Sequence, residues 1–353
     1  MGLLDAIFGR FSKDIGIDLG TSNTLVYVSG RGIVIDQPSV VAINKKTNQL
    51  LAIGKEAKKM MGKTPAHITA IKPLKSGVIS DFDITEQMLR YFFKEVQEEG
   101  AYLLPRPRVV VGIPSGVTEV EKKAVEEAAL NAGAREVYLV EEPMAAAIGA
   151  RLPIFEALGN MIVDIGGGTT EIAVASLGGM VTFKSLRIAG DKFNEDIIQM
   201  ARDDFNILLG ERSAEEVKIE IGNAIKQAEK KEISIRGRDL VTGLPKEIVL
   251  NSENVRKALE SSIGALVQSI RETIEDTPPE LISDIMKRGI ILTGGGSLLA
   301  GIDELISQET GILVRITEDP LTAVARGTGI ILENLEEYKS IVVNVDYAAT
   351  PRE

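Results

Sequence analysis

Two aspartates stand just ahead of bends rich in glycine and hydroxyl side chains. Asp18 lies in the stretch Lys13 to Val28, KDIGIDLGTSNTLVYV, and Asp164 in the stretch Asn160 to Ala175, NMIVDIGGGTTEIAVA. Each stretch reads as strand, tight turn, strand. The backbone amides of Gly20, Thr21, Ser22 and Asn23 at the first bend, and of Gly166, Gly167, Gly168 and Thr169 at the second, suit an anion, and the aspartate beside each suits its metal ion. Neither bend contains Lys or Arg. A polyphosphate bound there would be neutralised by a divalent cation and oriented amides. Asp18 and Asp164 are then the natural magnesium anchors, acting through water because magnesium gives up its hydration shell reluctantly. One glycine-rich hairpin reads equally well as an ordinary β-turn; two that match favour the phosphate. A P-loop is excluded: Gly62-Lys63-Thr64 would close one, but the motif needs glycine where Ala57 stands.

Composition narrows the chemistry. The chain has 353 residues, 44% hydrophobic and 26% charged, which suits two domains with separate cores. With no Cys and a single His67, disulfides, thiolate zinc sites, Cys nucleophiles and the usual Ser-His-Asp triad are excluded. A net charge of −11 argues against nucleic acid as the main partner. No apolar run is long enough to span a membrane, and the first residues lack a basic start and a small-residue cleavage site, so the expectation is a cytoplasmic protein.

The elements that must position these groups follow in order. Short strands run from Gly32 to Ile53, then a helix begins near Lys55 and a loop spans Thr64 to Lys75. A helix over Asp81 to Glu99 buries Met88, Leu89, Phe92, Phe93 and Val96. Strand Arg108 to Ile113 leads to a helix capped by Thr118, with Glu121 completing a capping box. Strand Val137 to Val140 enters Glu141-Glu142-Pro143, where proline suits the first helical turn and both carboxylates lie at a helix N-terminus. That placement is dipole compensation, or one carboxylate polarises a water. After the second hairpin, Asp191 is expected to cap a helix to about Phe205, and Glu215 and Lys218 share one face of the next helix, as an ion pair or as ligand contacts. A long amphipathic helix covers Ser252 to Glu275. The turn Thr293-Gly294-Gly295-Gly296-Ser297 follows a strand and would let backbone approach a ligand. A small-residue helix over Asp319 to Gly329 is paired with that of Glu142 and could cross it closely, as a hinge between domains needs.

Taken in sequence, hairpin, hinge helix, hairpin, E-x-x-K helix, glycine turn and hinge helix resemble the actin, sugar-kinase and DnaK-type ATPase superfamily, and within it the MreB family of bacterial actins. The resemblance covers nearly the whole chain. It implies an α/β actin-like fold: two related domains, each a mixed β-sheet with flanking helices, and nucleotide in the interdomain cleft. The first domain would be residues 1–143 plus 322–353, with a small lobe at 31–75, and the second residues 144–321, with a small lobe at 183–239. Glu142 matches the acidic position of the family's EP motif and takes the water-positioning role, helped by the Thr169 hydroxyl. Glu215 and Lys218 would border the adenosine, as would Gly294, Gly295, Gly296 and Ser297. The cofactors implied are ATP or ADP and Mg2+.

Two apolar stretches bear on location. Leu3, Leu4, Ile7, Phe8 and Phe11 share one side of a terminal helix, and each such side chain gains about 1.5–3 kcal/mol when buried. Their partner is the protein's own core or a membrane, and the resemblance favours the membrane. Tyr102, Leu103 and Leu104 form an apolar loop, tucked inwards or serving as a second membrane-inserting tip. The expectation is a membrane-associated ATPase on the inner face of the cell membrane. It would form ATP-dependent filaments of itself and determine rod shape through cell-wall elongation proteins. The alternative is a soluble, non-polymerising ATPase that regulates a protein partner.

Overall fold

The computed structural model describes residues 14–100, 106–228 and 230–343. The first strands are β1 (Ile15–Leu19), β2 (Asn23–Val28), β3 (Gly32–Pro38), β4 (Val41–Asn44) and β5 (Leu50–Ile53). Next come α1 (Lys55–Met60), β6 (Ile68–Ile71), β7 (Leu74–Lys75), β8 (Val78–Ile79) and α2 (Phe82–Gly100). They are followed by β9 (Arg108–Ile113), α3 (Glu119–Ala132), β10 (Glu136–Glu141) and α4 (Glu142–Gly149). The middle of the chain forms β11 (Asn160–Ile165), β12 (Thr170–Ser176), β13 (Gly179–Leu186), α5 (Gly190–Phe205), β14 (Ile207–Leu208) and α6 (Glu211–Ile221). Then come β15 (Glu232–Asp239), β16 (Pro245–Asn251), α7 (Ser252–Glu275), α8 (Pro279–Arg288), β17 (Ile290–Thr293), α9 (Ile302–Thr310) and β18 (Val314–Ile316). The last helix is α10 (Ala323–Glu333).

These elements form two compact units, one of Met1–Phe155 with Thr322–Glu353, the other of Glu156–Leu321. In the first unit a five-stranded sheet has the order β10-β9-β1-β2-β3, with β1, β2 and β3 antiparallel and β1, β9 and β10 parallel. In the second unit the sheet β13-β12-β11-β17-β18 repeats that pattern, antiparallel through β11, β12 and β13 and parallel through β11, β17 and β18. Central strands in such a sheet are covered on both faces and read as continuous apolar runs. Every residue of β11 and β12 is buried. The first core gathers Ile17, Val111, Met88 and Phe92; the second gathers Val163, Ile172, Phe193 and Leu259.

Local signals set the helix ends. Thr118 accepts from the Glu121 amide while the Glu121 carboxylate accepts from the Thr118 amide, closing the capping box ahead of α3. Asn251 caps α7 in the same reciprocal way with Asn254. Helix α10 lies on its own sheet: a Cβ on Gly16 of β1 would stand 2.6 Å from Thr328 Oγ1. It also crosses α4 at backbone distance. A Cβ on Gly149 would collide with the Ala323 carbonyl, and one on Gly327 with the Ala145 carbonyl.

Several expectations are corrected. The boundary expected between residues 143 and 144 falls inside α4, which continues to Gly149, and the first unit runs on to Phe155. Both small-residue helices belong to that first unit. The stretch 64–75, expected as loop, contains β6 and β7, because Ile68–Ile71 finds β4 as an antiparallel partner. The small sheets are also bounded differently. β3 belongs to the large sheet, leaving β5-β4-β6 as the first lobe's sheet, and β14-β15-β16 extends to Asn251 while β13 joins the large sheet. Asp191 is not the cap of α5. Ala189 is, and the Gly190 and Asp191 amides donate to the carbonyls of Gly166 and Gly167, so no side-chain cap is needed there. Leu3, Leu4, Ile7, Phe8, Phe11, Tyr102, Leu103 and Leu104 lie outside the described residues.

Candidate functional site

In the first unit the hairpin β1–β2 turns at Gly20, Thr21 and Ser22, and Asn23 opens the second strand. The turn is fixed from its carbonyl side. Ser39 Oγ donates to the Gly20 carbonyl at 2.6 Å, and the Ser39 amide donates to the Ser22 carbonyl at 2.9 Å. Thr21 Oγ1 accepts from the Gly77 amide at 2.8 Å, and Asn23 Nδ2 donates to Asp36 Oδ1 at 3.2 Å. A turn held in this way keeps one conformation in which its amides can meet an anion.

Asp18 pairs with Leu25 across the hairpin and with Gly112 on β9. A Cβ on Gly112 would touch Glu142 Cγ at 3.5 Å and Val324 Cγ1 at 3.2 Å. Thus the strand neighbour of Asp18 is also the packing neighbour of Glu142, in the first turn of α4, where only 8% of its surface is exposed. Burial pushes the Asp18 carboxyl up to about 7, and the nearby Asp36 carboxylate adds to the rise. Asp18 is half-buried by surface area, and a carboxyl partly withdrawn from water beside another carboxylate is poised to gain from a cation. Burial also raises Glu141, partly offset by Lys122 and a hydrogen bond from the Gly116 backbone.

The second hairpin, β11–β12, turns at Gly166, Gly167, Gly168 and Thr169, closed by a 2.9 Å bond from the Gly166 amide to the Thr169 carbonyl. Its outer carbonyls are again engaged: Gly166 accepts from the Gly190 amide at 3.1 Å and Gly167 from the Asp191 amide at 2.7 Å. Asp164 is 7% exposed and holds the register place that Asp18 holds in the first sheet, with Glu171 across the hairpin and Thr293 on β17. Gly294 follows Thr293 with φ at 78°, where a Cβ would run into Asp164 Oδ1. The turn is pinned to the segment before α10 by the Gly294 amide and Thr293 Oγ1, which donate to the Pro320 carbonyl at 2.9 and 3.0 Å. It is closed internally by Ser297 Oγ, which donates to the Gly294 carbonyl at 2.6 Å. Gly295, Gly296 and Ser297 form a 3-10 turn, with Gly296 against Ile165. Lys218 reaches from α6 to the Gly190 carbonyl at 2.8 Å, and Glu215 lies one turn earlier on that helix.

The structure therefore gathers Asp164, the Gly166–Thr169 turn, Lys218 and the Gly294–Ser297 turn in the second unit. In the first it gathers Asp18, the Gly20–Asn23 turn and Glu142. Ser39, Gly77, Gly112, Gly190 and Pro320 were not foreseen. Four of them act through backbone groups or by lacking a side chain, and Ser39 sits in Pro38-Ser39-Val40, where nothing in residue type or spacing marks it. Among the described residues there is no group of three or more His, Cys, Asp or Glu able to hold a metal by themselves.

The family model for MreB/Mbl proteins matches residues 12–340. The cell shape-determining protein Mbl of Bacillus subtilis is 49% identical over 327 residues, covering 93% of this chain and 98% of that protein. The cell shape-determining protein MreB of Escherichia coli is 51% identical over 338 residues, covering 95% and 97%. Among solved structures, MreB5 of Spiroplasma citri bound to ADP matches with a TM-score of 0.88 at 39% identity, covering 93% of this chain and 98% of that one.

Proposed function

The chain belongs to the MreB/Mbl protein family, and from that premise we propose that it is an actin-like ATPase whose ATP-bound form assembles into filaments and sets rod cell shape by organising cell-wall synthesis. The observation that carries this reading is the duplicated sheet, with Asp18 and Asp164 at one register position ahead of two backbone-fixed turns. The nucleotide class is supported by the ADP in the MreB5 crystal, and the cellular role by the names of the relatives.

In this reading the amides of both turns take phosphate oxygens. Glu142 orients and polarises a water. The water's oxygen bonds to the γ-phosphorus as the bond to the bridging oxygen breaks, and the water's proton is lost to solvent, leaving ADP and inorganic phosphate. The Thr169 hydroxyl assists in holding the water. Asp18 and Asp164 would hold magnesium through water, and the ion would neutralise charge on the phosphate oxygens. Glu215 and the Gly294–Ser297 turn border the nucleoside. Attachment to the inner face of the cell membrane is assigned to Leu3, Leu4, Ile7, Phe8 and Phe11 with Tyr102, Leu103 and Leu104; among the described residues no helix is long and apolar enough to cross a membrane. Wall-synthesis proteins are the other partners.

The test is sedimentation of the purified chain with magnesium and ATP, with and without liposomes, beside Glu142→Ala. Nucleotide-dependent pelleting with filaments, and slower phosphate release by the variant, are expected. ATP binding without pelleting under any condition would remove the filament claim and leave a soluble ATPase. Lipid binding that survived deletion of residues 1–11 together with Leu103→Ser and Leu104→Ser would remove the membrane claim.

A further inference from the structure

Charge is unevenly placed along this acidic chain. Residues 41–75, which form β4, β5, α1, β6 and β7, contain eight lysines, with Glu56 as their one acidic residue. That lobe carries a formal charge of +7 and the rest of the chain −18. The small sheet decides where the lysines gather. At its base the Val40 amide donates to the Pro38 carbonyl at 2.8 Å, and the Gly54 amide donates to the Val40 carbonyl at 2.9 Å. At the opposite end β4 turns into β5, Asn44 pairs with Ile68, and the Lys45 amide donates to the His67 carbonyl at 2.9 Å. Helix α1 starts at Gly54 on the base, packs Ala57 with Val40 and Ala42, and runs towards that far end. Lys63 follows it, its amide donating to the Met60 carbonyl at 3.0 Å. Lys45, Lys46, Lys58, Lys59 and Lys63 are thereby brought to the distal end of the lobe, where all but the half-buried Lys58 are exposed. Glu56 lies 2.7 Å from Lys59 in an exposed pair, which binds the lysine only weakly.

We propose that this lysine-rich end is a contact for the phosphate headgroups of an anionic lipid surface. The proposal rests on the membrane reading given above and adds an electrostatic contact to its apolar residues. Residue type selects the partner. Contacts between proteins are centred on aromatic side chains and Arg and are poor in Lys, and nucleic-acid sites use Arg and stacking rings. Residues 41–75 contain no Phe, Tyr, Trp or Arg. A fluid array of headgroups needs no shaped pocket, only several ammonium groups on flexible stems at one surface. Placement adds a consequence. Asp14 and Arg108, hydrogen-bonded at 3.0 Å, mark the end of the large sheet that residues 1–11 and 102–104 lead into, whereas the lobe departs from the other end, after Pro38. A membrane touching both places fixes the orientation of the first unit.

The experiment is co-sedimentation of the full chain with vesicles of phosphatidylcholine alone and of phosphatidylcholine mixed with phosphatidylglycerol, at low and high salt. It is repeated with a variant carrying Lys45→Gln, Lys46→Gln, Lys59→Gln and Lys63→Gln, and with one carrying Arg at the same four positions. The full chain is expected to bind mixed vesicles more tightly than neutral ones, and salt to remove the difference. The Gln variant should bind mixed vesicles about tenfold more weakly and neutral vesicles as the full chain does, while the Arg variant keeps the preference. Amide hydrogen exchange of the unmodified chain, which depends on no variant, should slow across residues 45–63 on mixed vesicles. Equal binding of the full chain to both vesicles, a preference retained by the Gln variant, or unchanged exchange across 45–63 would overturn the proposal and leave the apolar attachment standing. A full chain that binds neither vesicle overturns the membrane reading and this contact with it. A Gln variant that loses ATP-dependent pelleting without vesicles, yet binds mixed vesicles as before, would assign the lobe to a second copy of the chain and overturn the lipid contact.

Discussion

Asp18 and Asp164 occupy the same position in two sheets of identical strand order, each paired across its own hairpin and each beside a parallel strand, at Gly112 in one case and Thr293 in the other. Their neighbours differ. Gly112 leaves room for Glu142, whereas Thr293 runs into the Gly294–Ser297 turn. One fold unit is thereby furnished twice, once with Glu142 packed on the aspartate's strand partner and once with a glycine-rich turn following that partner.

The Asp18 carboxyl is raised from 3.8 to about 7 by burial, with Asp36 adding to it. A raised carboxyl binds more protons folded than unfolded between those values, so stability falls as pH rises through that window. The increment is fully present below about 3.8 and gone above about 7. Urea denaturation of the nucleotide-free, metal-free chain at intervals from pH 4.5 to 8 should show this slope, and Asp18→Asn should flatten it. An unchanged slope in the variant would detach the effect from Asp18.

Gly294→Ala tests the second half of the site. Gly294 has φ at 78° and no space for a Cβ beside Asp164 Oδ1 and the Ile165 carbonyl. Both strain and collision oppose the substitution, so a loss of about 1–3 kcal/mol is expected. ATP affinity should fall with it, because Asp164 and the turn must shift. Denaturation midpoints and calorimetric titration measure the two effects separately.

Glu142→Gln keeps shape and removes charge. On the proposed role, in which the mostly buried Glu142 acts on the water alone, ATP affinity should stay within about twofold while phosphate release slows by roughly 10²–10⁴. Filaments formed with ATP should then persist longer in sedimentation. A variant that hydrolyses at the normal rate would move the water-positioning role to another residue.

Gly327→Ala opposes two effects of known size. Replacing a mid-helix glycine gains about 1 kcal/mol of helix propensity, while the new methyl meets the Ala145 carbonyl across the crossing, where overpacking costs about 1–3 kcal/mol. The crossing should win and the chain should lose stability. A stabilised variant would show that α4 and α10 can separate without penalty.

Legibility in the sequence followed the range of each signal. The hairpins, the Thr118–Glu121 box and the Ser252-to-Glu275 helix are written within a few residues, and they stand where the sequence places them. What failed depends on partners far along the chain. Ile68–Ile71 becomes a strand only because β4 lies beside it. Asp191 has the residue type of a cap, but carbonyls from the second hairpin already serve the amides of α5. The helix that contains the expected 143/144 boundary stays with the first unit, through its contact with α10. At the site, the aspartates and glycines announced themselves by type. Ser39 and Gly77, which fix the first turn, did not, since a hydroxyl or an amide acquires that role only from where the fold carries it.

The α4–α10 crossing also limits how this chain can change. At Gly149 and Gly327 every available substitution adds atoms, and what they would strike is backbone carbonyl, which no compensating mutation can trim. A core built of interlocking side chains can absorb a larger residue at one place by accepting a smaller one opposite. Here the opposite residues, Ala323 and Ala145, offend with their main chain, and even glycine in their place would leave the obstruction intact. Variation at these two positions therefore has to be answered by moving a whole helix, which makes the crossing a fixed point around which the rest of the first unit can drift.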